Sequence, residues 1–372
     1  MFKKSLAAVA VLAAFAGSAY AADVTMYGRV DLGLRFTNTD ADKAGQDDVN
    51  KFEMASGNYT GSRFGVKGEE DLGNGMKVGF VLENGFTADD GSFGTAGKLF
   101  DRQSSLHLKG SFGEVAFGRM GIMNSTAGTF GIGQLSALET GWGDVGNQNL
   151  IWGAGFGSRY DNMVTYATPE FAGAKVIAQY SFGKSDGTEV EGKPTTDRYA
   201  GIGATYNANN LALRLIVDTI NKKSGPVTVA HDVDDTVRVT LGGSYDFGVV
   251  KPFLAASYFK DGSMVKLPGV ADNDHLKGNY DGYGVVLGAN APLFGGTLKA
   301  TAGYLKADEQ NTADAEAEDV SRFIVGAGYE YKLSKRTTVY ADAGYGQDDI
   351  DNRTNGDKPS YFQAAVGMAH YF

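Results

Sequence analysis

Segments of about ten residues, in which apolar and polar side chains alternate, recur along the whole chain. In the segment from Met76, Met76, Val78 and Phe80 fall on one face while Lys77 and Gly79 fall on the other. A period of two predicts β-strands with one apolar face. We count 16 such segments: 24–36, 62–69, 76–85, 101–109, 114–120, 159–167, 174–182, 198–206, 211–218, 236–245, 249–259, 280–290, 297–305, 321–331, 337–346 and 360–372. An even number of strands of this length is typical of an all-β, 16-stranded antiparallel transmembrane β-barrel.

The connections between these segments alternate between short and long. The short ones carry turn-forming Gly, Asn, Asp and Pro, as in 207–210 and 246–248. The long ones are mostly polar and acidic; residues 306–320 hold six acids and one lysine. Segregated connection lengths indicate a barrel with one smooth rim and one elaborated rim.

A sheet in hydrocarbon must close on itself, because an open edge would leave backbone groups without partners. Sixteen strands enclose a water-filled lumen, and the polar phase of the strands supplies its lining. We expect these charged residues to face the lumen: Arg29, Asp31, Lys67, Lys77, Glu83, Arg214, Arg238, Lys251, Lys299 and Asp342. Tyrosines near strand ends fit aromatic girdles at the membrane interfaces.

The third long connection, residues 121–158, differs from the other long connections. It holds ten glycines, only two charges (Glu139 and Asp144) and large apolar residues such as Phe130, Trp142 and Trp152. It is too apolar for a disordered loop and too irregular for a strand. We therefore expect it to fold inward, with apolar side chains on the barrel wall and both carboxylates reaching water.

The N-terminus predicts export. Lys3 and Lys4 precede an apolar run, and a small-residue site of the A-x-A kind ends at Ala21, which together indicate a signal peptide over residues 1–21. The barrel then occupies 22–372. Without the signal the chain has 32 basic and 44 acidic residues, a net charge of −12, which argues against a nucleic-acid partner. The chain has no cysteine.

Several stretches resemble the general porins of the Gram-negative outer membrane, in particular the neisserial and β-proteobacterial branch. They are VTMYGRVDLGL at 24–34, TGSRFGVKGEEDLGNGMKVGFVLE at 60–83, FDRQSSLHLKGSFGEVAFGRM at 100–120, SRYDNMVTYATPEFAGAKVIAQY at 158–180 and VGMAHYF at 366–372. They span nearly the whole chain after the signal.

The resemblance implies an outer-membrane channel for passive diffusion of small hydrophilic solutes and ions. It also implies a homotrimer in contact with outer-membrane lipid and lipopolysaccharide, with no cofactor. The terminal Phe372 looks like the signal read by the barrel-assembly machinery of this class. The third external loop is expected to form the pore constriction.

The family's basic ladder maps onto Arg63, Arg102 and Arg159, facing Glu139 and Asp144. Arg63 and Arg159 lie on the polar phase of their strands. Arg102 shares a phase with Leu106 and Leu108, so a bulge or a position above the membrane is needed. Arg119 has the same difficulty beside Val115 and Phe117, and we leave it out of the set. As an alternative to a role at the constriction, each arginine could only brace the wall by pairing with a neighbouring acid.

Three arginines against two acids predict weak anion preference, opposed by the acidic external loops, whose field salt screens beyond about 8 Å. A substrate-specific channel is the alternative function. An outer-membrane hydrolase is a further alternative, although none of His107, His231, His275 and His370 shows an evident serine-and-acid constellation, and no Cys/His metal spacing occurs. The acidic run 232–235 could bind Ca²⁺, and an adhesin role is compatible with the loops.

Overall fold

The computed structural model describes residues 23–42, 45–126, 128–133, 135–138, 142, 149–152, 155–183, 196–222, 234–269, 276, 278–310, 319–351 and 358–372. Its strands are β1 (Thr25–Asp40), β2 (Val49–Ser56), β3 (Arg63–Gly73), β4 (Met76–Gly85), β5 (Gln103–Gly110), β6 (Gly113–Gly121), β7 (Arg159–Ala167), β8 (Ala174–Ser181), β9 (Arg198–Ala208), β10 (Leu211–Asn221), β11 (Thr236–Tyr245), β12 (Lys251–Gly262), β13 (Asn279–Leu293), β14 (Gly296–Gln310), β15 (Val320–Lys332), β16 (Thr337–Ile350) and β17 (Ser360–Tyr371). One helical turn, α1 (Asn149–Trp152), lies in the third long connection. The expected signal peptide lies outside the described residues.

The strands form one closed antiparallel sheet. Each strand from β3 to β17 pairs with its sequence neighbour, and β17 returns to β1 in register from Arg29↔Tyr371 to Asp40↔Ser360. Both β2 and β3 pair with β1, on its second and first halves respectively. They therefore share one position, and the barrel has 16 positions around its circumference, as the alternation predicted.

Two details differ from the sequence-based strand assignment. Strand β2 lies inside the predicted first long connection, and several strands run beyond their predicted ends toward the long loops. Strand β14, predicted as 297–305, continues to Gln310. Its outward positions there are the exposed Lys306 and Asp308, so the backbone pairing continues after the apolar alternation has stopped. Hydropathy marks where a strand meets lipid, whereas hydrogen bonding sets where the strand ends.

The two phases of the strands have opposite character. Large apolar side chains are exposed on the outer phase, including Leu106, Phe117, Leu215, Leu241 and Leu287. The alternate positions, which we call the inner phase, are largely buried and carry most of the barrel's charged residues. Exposed aromatics also ring the end of the barrel that bears the short turns, the short-turn rim: Phe112, Tyr166, Phe171, Tyr206, Tyr245, Phe247, Phe294, Tyr331 and Phe372. The opposite end is the long-loop rim.

Helices contribute little to this structure. Within the described ranges, none is both long and apolar enough to cross a membrane.

Candidate functional site

Arginines gather on the inner phase of β1 to β7, near the long-loop rim. Arg29 of β1 and Arg63 of β3 are cross-strand partners. A Cβ atom at Gly61 would lie 3.4 Å from Arg102 Nη1 and 3.8 Å from Arg63 Nη2, so both guanidinium groups flank this glycine. Arg29, Arg102 and Arg159 are close enough to Arg63 for their positive charges to repel its charge. Arg102 and Arg119 repel the charge of Arg159 in the same way. We call Arg29, Arg63, Arg102, Arg119 and Arg159 the arginine cluster.

Glu83 of β4 is the main acidic partner inside this cluster. Arg102 Nε donates to Glu83 Oε1 at 2.8 Å, and Arg63 Nη1 lies 3.7 Å from the same oxygen. The hydroxyl of Tyr27 donates to Glu83 Oε2 at 3.0 Å. One carboxylate thus holds two arginines in place, and fixed guanidinium groups keep their charge at any working pH.

Arg102 reaches the cluster because it precedes its strand. Strand β5 begins at Gln103, and the backbone N–H of Arg102 donates to the carbonyl of Glu83 at 3.2 Å. The phase of Leu106 and Leu108 therefore does not govern Arg102. No bulge is therefore needed to place Arg102 in the cluster, because it lies before the strand begins.

Arg119 belongs to the cluster although the alternation excluded it. The register of β6 against β7 shifts between Gly118 and Met120, which is a β-bulge, and Gly118 has a φ of +125°. The bulge turns Arg119 inward, where it forms an ion pair with Asp161. The signal that sequence reasoning missed was Gly118, which lies just before the bulge and two residues after the inner-phase Ala116.

Arg159 has fewer partners than the other cluster arginines. Its Nη1 donates to Ser158 Oγ at 3.1 Å, and its buried Nε has no hydrogen-bond partner. Within the described part of the chain it forms no ion pair. Of the five, Arg159 and Arg29 are therefore the two without an ion-pair partner among the described residues.

The cluster carries a surplus of positive charge. Lys98 joins it through Asp161 at 3.0 Å, and Asp101 accepts from the backbone N–H of Gly85 at 2.7 Å. Five arginines and one lysine thus face three carboxylates, those of Glu83, Asp101 and Asp161, for a net charge of +3 among these described residues.

Three other predicted lumen residues, Asp31, Lys67 and Lys77, lie on β1, β3 and β4 outside the arginine cluster. Asp31 is fully buried and accepts from the backbone N–H groups of Tyr59 and Thr60 at 2.8 and 2.6 Å, so it anchors the segment before β3. Lys77 pairs with Glu69 at 2.8 Å near the short-turn rim, and the ammonium of Lys67 lies 5.4 Å from the centre of the Tyr27 ring.

Three cations on the opposite wall, Arg238, Arg322 and Lys299, are neutralised by nearby acids. Arg238 forms a two-bond pair with Asp218 at 3.0 and 2.6 Å, and Arg322 a similar pair with Asp348 at 2.6 and 2.8 Å. Lys299 lies 3.3 Å from Glu330. Near the long-loop rim, the surplus charge therefore lies on the wall from β1 to β7.

Parts of the third long connection contact the inner phase of many strands. The backbone N–H of Met123 donates to Gln179 Oε1 at 2.9 Å, and the amide of Asn124 lies 2.9 Å from Thr240 Oγ1. Inner-phase glycines make room for its apolar side chains, since a Cβ would lie 2.9 Å from Ile132 at Gly203, 2.7 Å from Ile151 at Gly303 and 2.4 Å from Trp142 at Gly328. Glu139 and Asp144, the predicted acids of this connection, lie outside the described residues.

A chain of hydrogen bonds links this connection to β5 and β6. Ser105 Oγ and His107 Nε2 are 2.8 Å apart, as are His107 Nδ1 and Glu114 Oε1. This is a serine, histidine and acid arrangement that sequence spacing did not make evident. Gln103 Nε2 donates at 2.8 Å both to Ser105 Oγ and to Thr129 Oγ1, and the His107 ring stacks on Phe130. Its contacts with Thr129 and Phe130 make it a brace for residues 128–130.

Among the described residues, no group of three or more His, Cys, Asp or Glu side chains is placed to hold a metal ion. Residues 232 and 233 of the acidic run considered for Ca²⁺ lie outside the described part of the chain.

Comparison with known proteins identifies the family. The model of the Gram-negative porin family matches residues 8–352. The chain belongs to the Gram-negative porins. An outer membrane porin protein of Bordetella pertussis is 33% identical over 92% of this chain and 94% of its own length, and outer membrane porin protein 32 of Delftia acidovorans is 32% identical over 92% and 89%.

Solved structures agree with this assignment. The anion-selective porin from Comamonas acidovorans superposes with a TM-score of 0.69 at 26% identity, covering 94% of this chain and all of that one. The chain is thus a porin of the outer membrane, with a closed 16-position barrel as its channel.

Proposed function

We propose that this porin passes small hydrophilic solutes and ions by passive diffusion with a weak preference for anions, set by the arginine cluster. The observation that carries the proposal is the net charge of +3 on one wall, with Arg159 left without an ion pair in the described residues. Fixed charges lining a pore select ions by sign, and they act strongly where the walls are close. The relative from Comamonas acidovorans, named as anion-selective, supports the same sign.

The third long connection is the proposed second wall of the constriction. Its contacts with Gln179, Thr240 and the glycines of β9, β14 and β15 support a position inside the barrel. Folded there, it would narrow the lumen opposite Arg63, Arg102 and Arg159 and bring Glu139 and Asp144 toward them. The resulting transverse field would order water and favour small anions.

Aromatic residues in the barrel favour a general pore over a channel specific for one solute. Tyr59 stacks on Tyr340 with ring centres 5.2 Å apart, and Trp142 meets Tyr59 edge-on at 5.0 Å. Trp142 and Tyr340 are only 3% and 5% exposed. These rings pack on one another, so they offer little open surface on which a sugar could stack.

Assembly and export complete the proposal. We propose a homotrimer in outer-membrane lipid and lipopolysaccharide; OmpT of Vibrio cholerae, which shares the fold, has been solved in a trimer form, and this supports the trimer. We also propose that residues 1–21 are a cleaved signal peptide and that Phe372 is read by the barrel-assembly machinery.

The test is the reversal potential of single channels in a potassium chloride gradient. Wild-type protein should show the anion sign, and Arg63→Gln/Arg102→Gln/Arg159→Gln should lower the chloride-to-potassium permeability ratio at least about threefold, equivalent to about 0.6 kcal/mol. Arg336→Gln, on the exposed short-turn rim, is the control and should leave the ratio unchanged. A cation sign for the wild type would overturn the proposal.

A further inference from the structure

A second group of cations lines a small cavity away from the arginine cluster. The cavity, of about 180 Å³, lies between Gly131, Ile132 and Leu135 of the third long connection and the inner phase of β10, β11 and β12. Arg214 and Lys251 line it together with Ser244. These wall residues follow the short turns 207–210 and 246–250, so the cavity lies toward the short-turn rim.

Small residues on β11 create the space between the two cations. Arg214 is the register partner of Gly242, and Gly243 and Ser244 follow at the end of the strand. Strand β11 therefore places no long side chain between Arg214 on one neighbour and Lys251 on the other. One water molecule occupies about 30 Å³ in the liquid, so the cavity can hold a small oxyanion with some of its water.

Three residues that line this space carry hydrogen-bond donors without a partner among the described residues. Arg214 uses Nη1 to donate to Asn207 Oδ1 at 2.9 Å and to the carbonyl of Leu213 at 2.7 Å. Its Nε and Nη2 groups, the ammonium of Lys251 and the hydroxyl of Ser244 have no hydrogen-bond partner within the described part of the chain. The ammonium of Lys251 lies 5.4 Å from the centre of the Phe253 ring.

The contrast with neighbouring cations makes this pair unusual. Arg238, on the same wall, forms an ion pair with Asp218. Arg322 and Lys299 form ion pairs with Asp348 and Glu330 respectively. Arg214 and Lys251 form no ion pair with any described acid. Two uncompensated charges and a hydroxyl that line one cavity provide charge-assisted donors suited to carboxylate or phosphate oxygens.

We propose that this cavity is a binding subsite for a small oxyanion, either inorganic phosphate or the carboxylate or phosphate group of a permeating solute. The proposal rests on the proposed anion preference and adds to it a site where an anion is held between the arginine cluster and the short-turn rim. Successive weak sites allow an ion to enter and leave a pore without being trapped.

The test uses purified channels in planar bilayers, with chloride carrying the current and inorganic phosphate added on the short-turn side. In the wild type, phosphate should reduce the current along a saturating curve. Arg214→Gln/Lys251→Gln should raise the half-inhibiting phosphate concentration at least about tenfold, which corresponds to about 1.4 kcal/mol. Lys332→Gln/Lys335→Gln removes two charges at the same rim, outside the cavity, and should keep the wild-type value.

A second variant separates the site from general charge. Ser244→Leu keeps both cations but fills the cavity, and it should also weaken the block. Equal half-inhibiting concentrations in the wild type and Arg214→Gln/Lys251→Gln, or no saturation in the wild type, would overturn the subsite. Reversal potentials of the same channels keep the two proposals distinguishable, because an anion-preferring wild type without saturable block contradicts only the subsite.

Discussion

Each arginine of the cluster contributes to the field in the lumen according to its acidic partners. Arg63 and Arg102 share one carboxylate, that of Glu83. Arg119 and Lys98 share another, that of Asp161. Arg159 forms no ion pair among the described residues. A paired charge is largely offset at the distances that matter to a passing ion, so Arg159 and Arg29, which also forms no ion pair among the described residues, should contribute most to the selectivity per residue.

Single substitutions can check this ranking. Arg159→Gln should reduce the chloride-to-potassium permeability ratio more than Arg119→Gln, because Lys98 stays paired with Asp161 and offsets that carboxylate when Arg119 is removed. Asp161→Asn should act in the opposite direction and raise anion preference, since it leaves Arg119 and Lys98 uncompensated. Reversal potentials of the three variants in the same salt gradient measure both differences.

Equal effects of Arg159→Gln and Arg119→Gln would contradict the ranking. Lys335→Gln, on an exposed turn at the short-turn rim, supplies the baseline for removing a charge far from the cluster.

Alternation along the strands located some of these residues and failed for others. Arg63 and Arg159 are the first residues of β3 and β7 and keep the polar phase of their strands. Arg102 lies before β5, and Arg119 lies in a bulge, so in both cases the period of two does not hold locally. A bulge depends on the register of the partner strand, which a single segment of sequence does not contain.

At the scale of elements, the third long connection is fixed by apolar burial and by a few polar bonds. Ile151 and Trp152 of α1 are fully buried, and burial of such side chains contributes about 1.5–3 kcal/mol each. The bonds donated by Gln103 to Thr129 and by the backbone N–H of Met123 to Gln179 tie its first part to β5 and β8. The described residues of 128–150 take no part in the strand pairing of the barrel, so the connection and the wall are separable.

Deletion of part of 128–150 should therefore enlarge single-channel conductance while the barrel still forms. The expected change follows from removal of material proposed to lie in the lumen. Conductance in planar bilayers, together with resistance of the folded barrel to detergent at room temperature, measures both parts of the expectation.

A deletion within 311–318, in another long connection, is the matched control and should leave conductance near the wild-type value. Unchanged conductance after the first deletion would show that 128–150 lies outside the pore.

The sequence indicated that 121–158 differs from the other connections, and the structure gives a physical reason for its apolar composition. Its apolar residues are complemented by glycines such as Gly203, Gly303 and Gly328, which lie far away in the chain. Which glycine receives which side chain depends on the closed sheet, so it could not be predicted. Strand β2 was missed for a similar reason, because its pairing with Leu32–Thr39 extends the wall where its own outer face is already partly polar.

At the scale of the whole molecule, the last residue closes the wall beside the first strand. The backbone groups of Gly28 and Phe372 exchange hydrogen bonds at 3.0 and 3.1 Å, and the Phe372 ring covers Gly28, where a Cβ would lie 2.4 Å from Cζ. The ring is also 49% exposed. It can thus both cover the seam and remain available to an assembly factor.

Phe372→Ala should lower the amount of porin assembled in the outer membrane, because it removes the proposed recognition ring but keeps the backbone bonds to Gly28. Heat-modifiable protein in membrane fractions measures the effect. Phe294→Ala, another exposed aromatic at the same rim, is the control. Refolding of both variants in detergent should match the wild type, and failure of Phe372→Ala in detergent would assign the ring to barrel stability instead.

The seam between β1 and β17 has a consequence for the order of folding. It joins Arg29 to Tyr371, 342 positions apart, whereas each short turn closes a hairpin of a few residues. For a flexible chain, loop closure over that separation costs roughly 4 kcal/mol more entropy than a four-residue turn. Contacts of such high sequence separation form late. Neighbouring hairpins should therefore pair first and form an open, curved sheet. The free edges of that sheet, β1 and β17, should pair only in the final step.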